Sequence, residues 1–296
     1  MVFFKLHSES TLHHKKAFVL LPVLCVLLSS CIKEADFSGF IRSTDRVEER
    51  FQQSMAWNQS HSYKNIVFPS DDYKLLITAD VHIGGPKTHQ NLLSFVNRAK
   101  LPDIAAAVYV GDLATGRESD ITLFQSLLPS DSITPNFVMV GNHELYFDGW
   151  KAFYNLFGSS TYYFTITTPN KKDLFICLDS GGGTHGESQL AWLKEMLDKL
   201  RSQYDRCIVY SHSNLFRKHH TASTSPTMDE LFVLLDIFET YKVDMVITGH
   251  DHKRDIKQLG NIQYIVLDAL RDDAKNASYM LLHKNHTGLY FQFIKP

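Results

Sequence analysis

Side chains that bind metal ions follow five short apolar runs of the sequence. Asp80 and His82 come directly after the run LLITA, and Asp112 comes after the run AAVYV. The three other runs are followed by Asn142 and His143, by His212, and by His250 and His252. Carboxylate and amide oxygens together with imidazole nitrogens suit divalent Mn, Fe, Zn, Ni or Co ions. The sequence therefore predicts a metal site built from residues that lie far apart in the chain.

The five apolar runs are predicted to be buried strands of an α/β sheet, at residues 75–79, 106–110, 137–140, 207–211 and 245–249. Stretches with helical spacing of apolar residues separate them, at 91–99, 120–128, 149–157, 189–200 and 228–241. The carboxyl ends of strands in such a sheet open onto one crevice, where ligands from distant parts of the chain converge. A second, partly antiparallel sheet is predicted from hairpin-like strands at 161–168, 173–179, 262–268, 278–283 and 289–294.

The order and spacing of the metal-type residues resemble those of the calcineurin-like metallophosphoesterase family. The motifs are DVH at 80–82, GD at 111–112, GNHE at 141–144, the single His212 and GHDH at 249–252. The resemblance extends from about Lys74 to the C-terminus and includes LDS at 178–180 and QLAWL at 189–193, which are typical of one branch. It implies an α/β sandwich of two mixed β-sheets flanked by helices, with a dinuclear metal site at the carboxyl ends of the strands.

The resemblance also implies a role for each residue of the motifs. One divalent ion would be bound by Asp80, His82 and His252, the other by Asn142, His212 and His250, with Asp112 bridging them. Ions about 3.5–4 Å apart neutralise the phosphate oxygens and share a hydroxide that attacks phosphorus in line. His143 is then expected to protonate the leaving oxygen. Glu144 and Asp251 are expected at most to support the ligands.

Several residues have competing interpretations. His212 is preferred as a ligand over the nearby His219 and His220 because it alone directly follows a predicted buried strand. Thr115 stands where purple acid phosphatases place a tyrosine ligand, so a purple ferric site is not expected. No Lys followed by Ser or Thr accompanies the three glycines at 181–183, which are therefore predicted to be a flexible loop rather than a phosphate-binding loop.

The aromatic residues and the remaining histidines also allow two interpretations. Tyr146, Phe147 and Trp150 follow the GNHE motif and are predicted to pack in the core, with stacking on a substrate base or sugar as the alternative. Isolated histidines elsewhere, which are His61, His89, His185, His219 and His220, are expected to occupy surface or loop positions without contacting substrate.

The leading functional hypothesis is a metal-dependent phosphoesterase that hydrolyses phosphomonoesters or small phosphodiesters. A nucleotide or cyclic-nucleotide phosphodiesterase, or a nuclease, is one alternative, and a catalytically silent metal-binding lipoprotein is another. The formal net charge of −2 argues against long nucleic acids as partners, because proteins that bind them are usually basic. His143 argues against the silent lipoprotein, since binding alone does not require a proton donor at the leaving group.

The N-terminal sequence resembles a bacterial lipoprotein signal. Lys15 and Lys16 precede the apolar run Ala17–Leu28, which is short for a membrane span, and Cys31 follows small residues. We predict a signal peptide at 1–30, a tether and covering segment at 31–72 and the phosphoesterase domain at 73–296. The chain would be lipid-anchored through Cys31 in the cell envelope, with its catalytic domain outside the cytoplasm. An ordinary secretory signal or an uncleaved anchor is the alternative.

Within the covering segment, a short amphipathic helix that includes Phe51 and Met55 is predicted. Asp45 and Glu48 have the spacing of a capping box at its start. Cys177 and Cys207, which follow the N-terminal segment, lie in apolar strand-like runs, so neither a disulfide framework nor a cysteine metal site is expected.

Overall fold

The computed structural model describes residues 46–84, 88–218, 221 and 224–296. The chain divides into two units, Met1–Ile41 and Arg42–Pro296, and the described residues all belong to the second. The predicted signal peptide, Cys31 and the first part of the predicted tether lie outside the described residues. Of the helices that are described, none is both long enough and apolar enough to cross a membrane.

The described residues form two mixed sheets with helices on their outer faces. The strands are β1 (Asn65–Val67), β2 (Tyr73–Thr78), β3 (Ile104–Val110), β4 (Asn136–Met139), β5 (Tyr162–Thr167), β6 (Lys172–Leu178), β7 (Arg206–Ser211), β8 (Met245–Thr248), β9 (Asp255–Leu259), β10 (Ile262–Val266), β11 (Tyr279–Asn285) and β12 (Gly288–Ile294). The helices are α1 (Val47–Ser60), α2 (Gln90–Ala99), α3 (Glu118–Leu127), α4 (Gly149–Phe157), α5 (Glu187–Leu200) and α6 (Met228–Thr240). The predicted α/β sandwich of two mixed sheets is confirmed.

The division of strands between the sheets differs from the sequence prediction. One sheet has the order β12–β11–β2–β3–β4 and the other has the order β1–β5–β6–β7–β8–β10–β9. The five predicted parallel strands are therefore split, with β2, β3 and β4 in the first sheet and β7 and β8 in the second. Apolar periodicity identifies a buried strand but carries no information about its partner. Strands β1 and β9 were not predicted, because β1 has three residues and β9 is exposed along its whole length.

Three apolar cores hold these layers together. The central core lies between the sheets and includes Ile77, Val108, Phe164, Ile208 and Ile247, which are fully buried. A second core packs α2, α3 and α4 on the five-stranded sheet, and a third packs α5 and α6 on the seven-stranded sheet. Strands that are covered on both faces need apolar side chains at every position, and this explains why they appear as continuous apolar runs. The cores fix the strand ends that carry the functional residues.

Helix α1 lies within the predicted covering segment but begins later than the capping pattern indicated. Its N-cap is Arg46, and the backbone N–H of Arg46 donates to Glu49 Oε2 at 3.0 Å. The predicted pair of Asp45 and Glu48 was therefore wrong by one residue. Phe51 of this helix is buried. Strand β1 pairs with β5, so the segment ahead of residue 73 supplies both a helix and a sheet strand.

Candidate metal centre

The structure brings the predicted metal ligands together at the carboxyl ends of strands from both sheets. Six of the seven form two groups, Asp80, His82, Asp112 and His252 in one, and Asp112, His212 and His250 in the other. Within each group the potential ligand atoms all lie within 4.8 Å of one another. Asp112 belongs to both groups. The convergence expected from the strand ends is therefore confirmed, although the four strands that supply these six residues belong to two sheets rather than to one.

The first group is compact enough to surround a single ion. His82 Nε2 lies 3.0 Å from His252 Nε2, and His252 Nε2 lies 3.3 Å from Asp80 Oδ1. Asp112 Oδ2 lies 3.7 Å from His82 Nε2. Asp80, His82 and Asp112 are buried, whereas the side chain of His252 is 37% exposed. Two carboxylates and two imidazoles at these distances form a donor set that suits a divalent transition metal.

The second group contains His212, whose ring orientation is fixed by the backbone. His212 Nδ1 donates to the carbonyl oxygen of Val110 at 2.8 Å, because a carbonyl can only accept a hydrogen bond. This arrangement leaves the lone pair of Nε2 available, as is common for histidines that bind metals. Nε2 faces Asp112 Oδ1 at 3.4 Å and His250 Nδ1 at 3.3 Å. Oδ1 of Asp112 thus faces the second group, and Oδ2 faces the first.

Asn142 provides an independent indication of a bound cation. Its Nδ2 donates to the Tyr146 hydroxyl at 2.9 Å, which fixes the side-chain amide. Its Oδ1 is buried and has no hydrogen-bond partner among the described residues. Buried acceptors without a partner are rare, and a bound cation would satisfy this one. The residues present therefore fit the two-ion centre that the motifs imply.

The backbone conformation of the centre is unusual. Among the described residues, nine other than glycine have a positive φ, and five of these are predicted ligands, namely Asp80, His82, Asp112, His250 and His252. Residues other than glycine are uncommon in this region, and such strain is concentrated at functional sites. Gly141 allows a close approach, since a Cβ there would lie 2.2 Å from Asp112 Oδ1.

Burial and neighbouring charges shift the pKa values of the ligands at the centre. Burial lowers the pKa of His212, but the carboxylates of Asp112 and Asp80 outweigh it and raise that pKa to about 10. Burial opposes ionisation of Asp112, yet His212 and His143 hold its pKa well below the usual range. Burial and the neighbouring His212 lower the pKa of His250 to about 3. A divalent ion would replace the proton on His212, so metal binding should release protons.

Glu144 of the GNHE motif holds two of the loops in place. Its carboxylate accepts backbone N–H bonds from Gly141 at 2.8 Å, Asp112 at 2.9 Å and Ala114 at 3.0 Å. Glu144 is fully buried, and burial together with the charge of Asp112 raises its pKa to about 7. It fixes the backbone at Asp112 and Ala114 and next to Asn142.

Replacing Glu144 with alanine is expected to lower the free energy of unfolding by about 3 kcal/mol or more. The reason is that three buried N–H groups would lose their acceptor, at about 1–3 kcal/mol each. Urea unfolding followed by circular dichroism measures the change. Glu195→Ala, which breaks the exposed Lys199–Glu195 pair, should stay close to the wild type. Similar midpoints for the two variants would contradict the proposed bracing role.

His143 lies at the edge of the centre, where a substrate could reach it. Its Nε2 lies 3.9 Å from Asp112 Oδ2, its ring stands edge-on to His82, and its side chain is 23% exposed. Its backbone N–H donates to Asp112 Oδ1 at 2.9 Å. The Nδ1 atom is buried without a partner among the described residues. The side chain therefore lies beside the shared carboxylate and is not itself in either ligand group.

Three aromatic residues after GNHE have different environments. Tyr146 and Trp150 are buried, which confirms the prediction of core packing. Phe147 is half-buried and has a φ of 53°, a conformation that a bulky residue rarely adopts. The guanidinium of Arg117 lies 4.4 Å from its ring centroid. For Phe147 the prediction of core packing was therefore wrong.

Sequence reasoning missed several residues around the ligands. Arg217 donates to His250 Nε2 at 3.0 Å and forms a 2.8 Å ion pair with Asp251. His185 was expected at a surface or loop position, but it is a buried loop residue whose Nε2 lies 2.9 Å from Ser211 Oγ and whose Nδ1 lies 3.1 Å from Glu230. No motif marks either contact. His219 and His220, the rivals of His212, lie outside the described residues.

Comparison with known proteins connects this geometry to a family. The family model described as calcineurin-like phosphoesterase matches residues 73–254. No curated protein sequence matches the chain.

Solved structures of other proteins share the fold at low sequence identity. A dimetal phosphatase from Danio rerio has a TM-score of 0.58 at 14% identity, with 75% of this chain and 96% of that chain covered. Plasmodium GAP50, described as the anchor in the inner membrane complex, has a TM-score of 0.55 at 15% identity, with 76% and 84% covered. A putative 5′-nucleotidase from Staphylococcus aureus has a TM-score of 0.50 at 14% identity, with 76% and 53% covered. At these identities the likeness concerns the fold alone.

Proposed function

The chain belongs to the calcineurin-like phosphoesterase family and is a hydrolase of phosphoester bonds, and we propose that it cleaves phosphomonoesters or small phosphodiesters with the help of two divalent ions. Asp80, His82 and His252 would hold one ion, and Asn142, His212 and His250 the other, with Asp112 shared between them. The observation that carries the proposal is the pair of donor groups joined by one carboxylate.

When bound, the two ions would neutralise phosphate oxygens and activate a water molecule for in-line attack. The protein's own contribution is to fix the donors before substrate arrives. Asp112 is held at its backbone by Glu144 and aligned by the N–H of His143, so its two oxygens keep their separate directions. The ring of His143, beside Asp112 and partly exposed, would donate a proton to the leaving oxygen.

This set of residues supports catalysis rather than binding alone. The fold by itself does not decide the question, since GAP50 shares it and is described as an anchor. A binding protein needs the ligands but has no use for a partly exposed histidine beside the shared carboxylate. The presence of both ligand groups together with His143 therefore favours a working phosphoesterase.

The direct test is hydrolysis of p-nitrophenyl phosphate and bis-p-nitrophenyl phosphate by the full chain, in Mn, Ni, Zn or a chelator. Activity that requires a metal would support the proposal, and the preferred ester would distinguish a monoesterase from a diesterase. A folded chain that binds two ions and hydrolyses neither ester would favour the silent lipoprotein.

A nucleotide substrate is a second candidate, favoured by the pair of Arg117 and Phe147. A Cβ at Gly116 would lie 2.2 Å from the carbonyl oxygen of His143, so the loop that carries Arg117 packs directly on the loop of His143. Arg117 is exposed and forms no ion pair with a described residue. A guanidinium stacked on a strained aromatic ring could bind a planar base on the leaving-group side.

The variant Phe147→Ala is expected to raise KM for 5′-AMP about fivefold or more while KM for glycerol 2-phosphate stays within about twofold. Loss of base stacking corresponds to about 1–3 kcal/mol, and glycerol offers no ring to stack. Steady-state phosphate release measures both constants. Tyr290→Ala, at an exposed residue on β12, serves as the control. Equal changes for both substrates would contradict base stacking.

We also propose that the chain is lipid-anchored in the outer membrane of a bacterial envelope through Cys31. Ile32 follows the cysteine, in place of the Asp that retains some lipoproteins in the inner membrane. The basic step, the short apolar run and the small residues before Cys31 support this assignment. The variant Cys31→Ser is expected to leave the membrane fraction on cell fractionation. A variant that stays with the membranes as the wild type does would contradict lipidation at this residue.

A further inference from the structure

The turn that follows β6, formed by Asp179, Ser180 and Gly181, contacts the loop of Asn142. A Cβ at Gly181 would lie 2.7 Å from the carbonyl oxygen of Gly141, so only glycine fits at that position. The N–H of Gly181 donates to Asp179 Oδ1 at 3.0 Å, which holds the turn closed. The three glycines were predicted to be a flexible loop, but Gly181 is packed against the residue directly before Asn142.

The same turn also holds the loop of His212 from both sides. Ser211 Oγ and the N–H of Ser213 both donate to Ser180 Oγ, at 2.8 and 2.9 Å. Ser213 Oγ donates to the carbonyl oxygen of Ser180 at 3.0 Å. The residues immediately before and after His212 are therefore bonded to one serine. All of these groups are buried, so the bonds are shielded from competing water.

Arg50 of α1 fixes the turn through a buried ion pair. Its Nε donates to Asp179 Oδ2 at 2.8 Å and its Nη2 donates to Asp179 Oδ1 at 3.0 Å. Arg50 is 1% exposed and Asp179 is fully buried. Two parallel bonds from a planar guanidinium set both the distance and the orientation of the carboxylate. Lysine could not supply this geometry.

The ligands of the first group are held by a different set of contacts. The N–H of Asp80 donates to the carbonyl oxygen of Gly111 at 3.1 Å, and the N–H of His82 donates to that of Asp112 at 3.0 Å. Asp80 also accepts the N–H of His250 at 2.9 Å. The bonds given above for the turn reach the loops of Asn142 and His212 instead. The turn of Asp179, Ser180 and Gly181 should therefore affect the binding of the two ions unequally.

We propose that Arg50 is a positioning residue for the ion held by Asn142, His212 and His250. It would act through Asp179, Ser180 and Gly181, and it would leave the other ion largely unaffected. Helix α1 lies outside residues 73–254, so the metal centre would depend on a segment that precedes the matched domain. The inference rests on the proposed two-ion function and adds a residue to it.

The test is to measure Mn²⁺ binding to the full chain in two ways. Calorimetric titration gives the number of ions and their affinities, and electron paramagnetic resonance detects the spin coupling of two neighbouring ions. Wild type should bind two ions with a coupled signal. Arg50→Lys keeps the charge but not the paired bonds. It should lower the affinity for one ion about tenfold or more and the affinity for the other less than about twofold. The coupled signal should give way to that of a single ion.

Two further variants serve as a second test of the turn and as a control. Ser180→Ala removes the Oγ acceptor of Ser211 and Ser213, and it should weaken binding of the same ion in protein that circular dichroism shows to be folded. Arg206→Met removes the 2.7 Å ion pair between Arg206 and Asp244, which is not part of the turn, and the affinities for both ions should stay unchanged. Unaltered affinities in Arg50→Lys and Ser180→Ala, or equal weakening of both ions, would overturn the inference. A folded wild type that binds no second ion would overturn the proposed function itself.

Discussion

The variant Asp112→Ala is expected to lose phosphoester hydrolysis, with a fall in kcat of at least about 1000-fold. Asp112 is the one residue that belongs to both donor groups, with Oδ1 at 3.4 Å from His212 Nε2 and Oδ2 at 3.7 Å from His82 Nε2. Without it, no carboxylate would hold the two ions at a common separation. The carboxylate that raises the pKa of His212 would also be lost.

Activity on p-nitrophenyl phosphate and metal content after gel filtration should be measured on the same samples. Asp112→Ala is expected to retain less than two ions per chain. Asp103→Asn is a matched control, because Asp103 carries the same charge in a partly exposed pair with Lys74 at 2.7 Å. An Asp112→Ala variant with two ions and more than a tenth of wild-type activity would contradict the bridging role.

The positions of the ligands could be predicted because they depend on local sequence. Each apolar run gave a strand whose end lies within a residue or two of the prediction, as for β3 at Val110 and β7 at Ser211. A residue directly after a buried strand must lie at the sheet edge, whichever sheet the strand joins. The prediction that these residues lie together was therefore correct although the strands were wrongly divided between the two sheets.

The supporting contacts could not be predicted because they join residues with no common pattern. Arg50 and Asp179 are separated by 129 positions, and the hydrogen bond between them is fixed only when α1 packs on the folded domain. The sequence of a helix does not distinguish a buried arginine from an exposed one. The left-handed backbone of Asp80 and His82 is likewise imposed by the tertiary structure, since neither residue type requires it.

Metal binding and proton transfer are assigned to different parts of the GNHE motif. Asn142 offers a buried oxygen that has no partner among the described residues, Glu144 accepts three backbone N–H bonds, and His143 between them is partly exposed to solvent. Successive residues of a tight turn point in different directions, which allows three neighbours to have three separate tasks. Variants at His143 should therefore alter the chemical step and leave the ions in place.

The variant His143→Ala is expected to lower kcat about 100- to 10,000-fold for alkyl phosphates, the range that general acid catalysis supplies. The loss should be much smaller for p-nitrophenyl phosphate, because p-nitrophenolate is stable enough to leave without a proton. A series of phenyl and alkyl esters measures this difference as a steeper dependence of log kcat on the pKa of the leaving alcohol. His61→Ala, at an exposed histidine, should match the wild type throughout.

The pattern across the ester series separates proton donation from a role in holding substrate. If His143 donates the proton, its removal penalises each ester in proportion to the basicity of its leaving oxygen, and metal content stays at two ions. If the side chain only binds the phosphate, every ester loses activity by the same factor and the slope is unchanged. A uniform loss would therefore contradict proton donation, and a loss of ions would instead place His143 among the ligands.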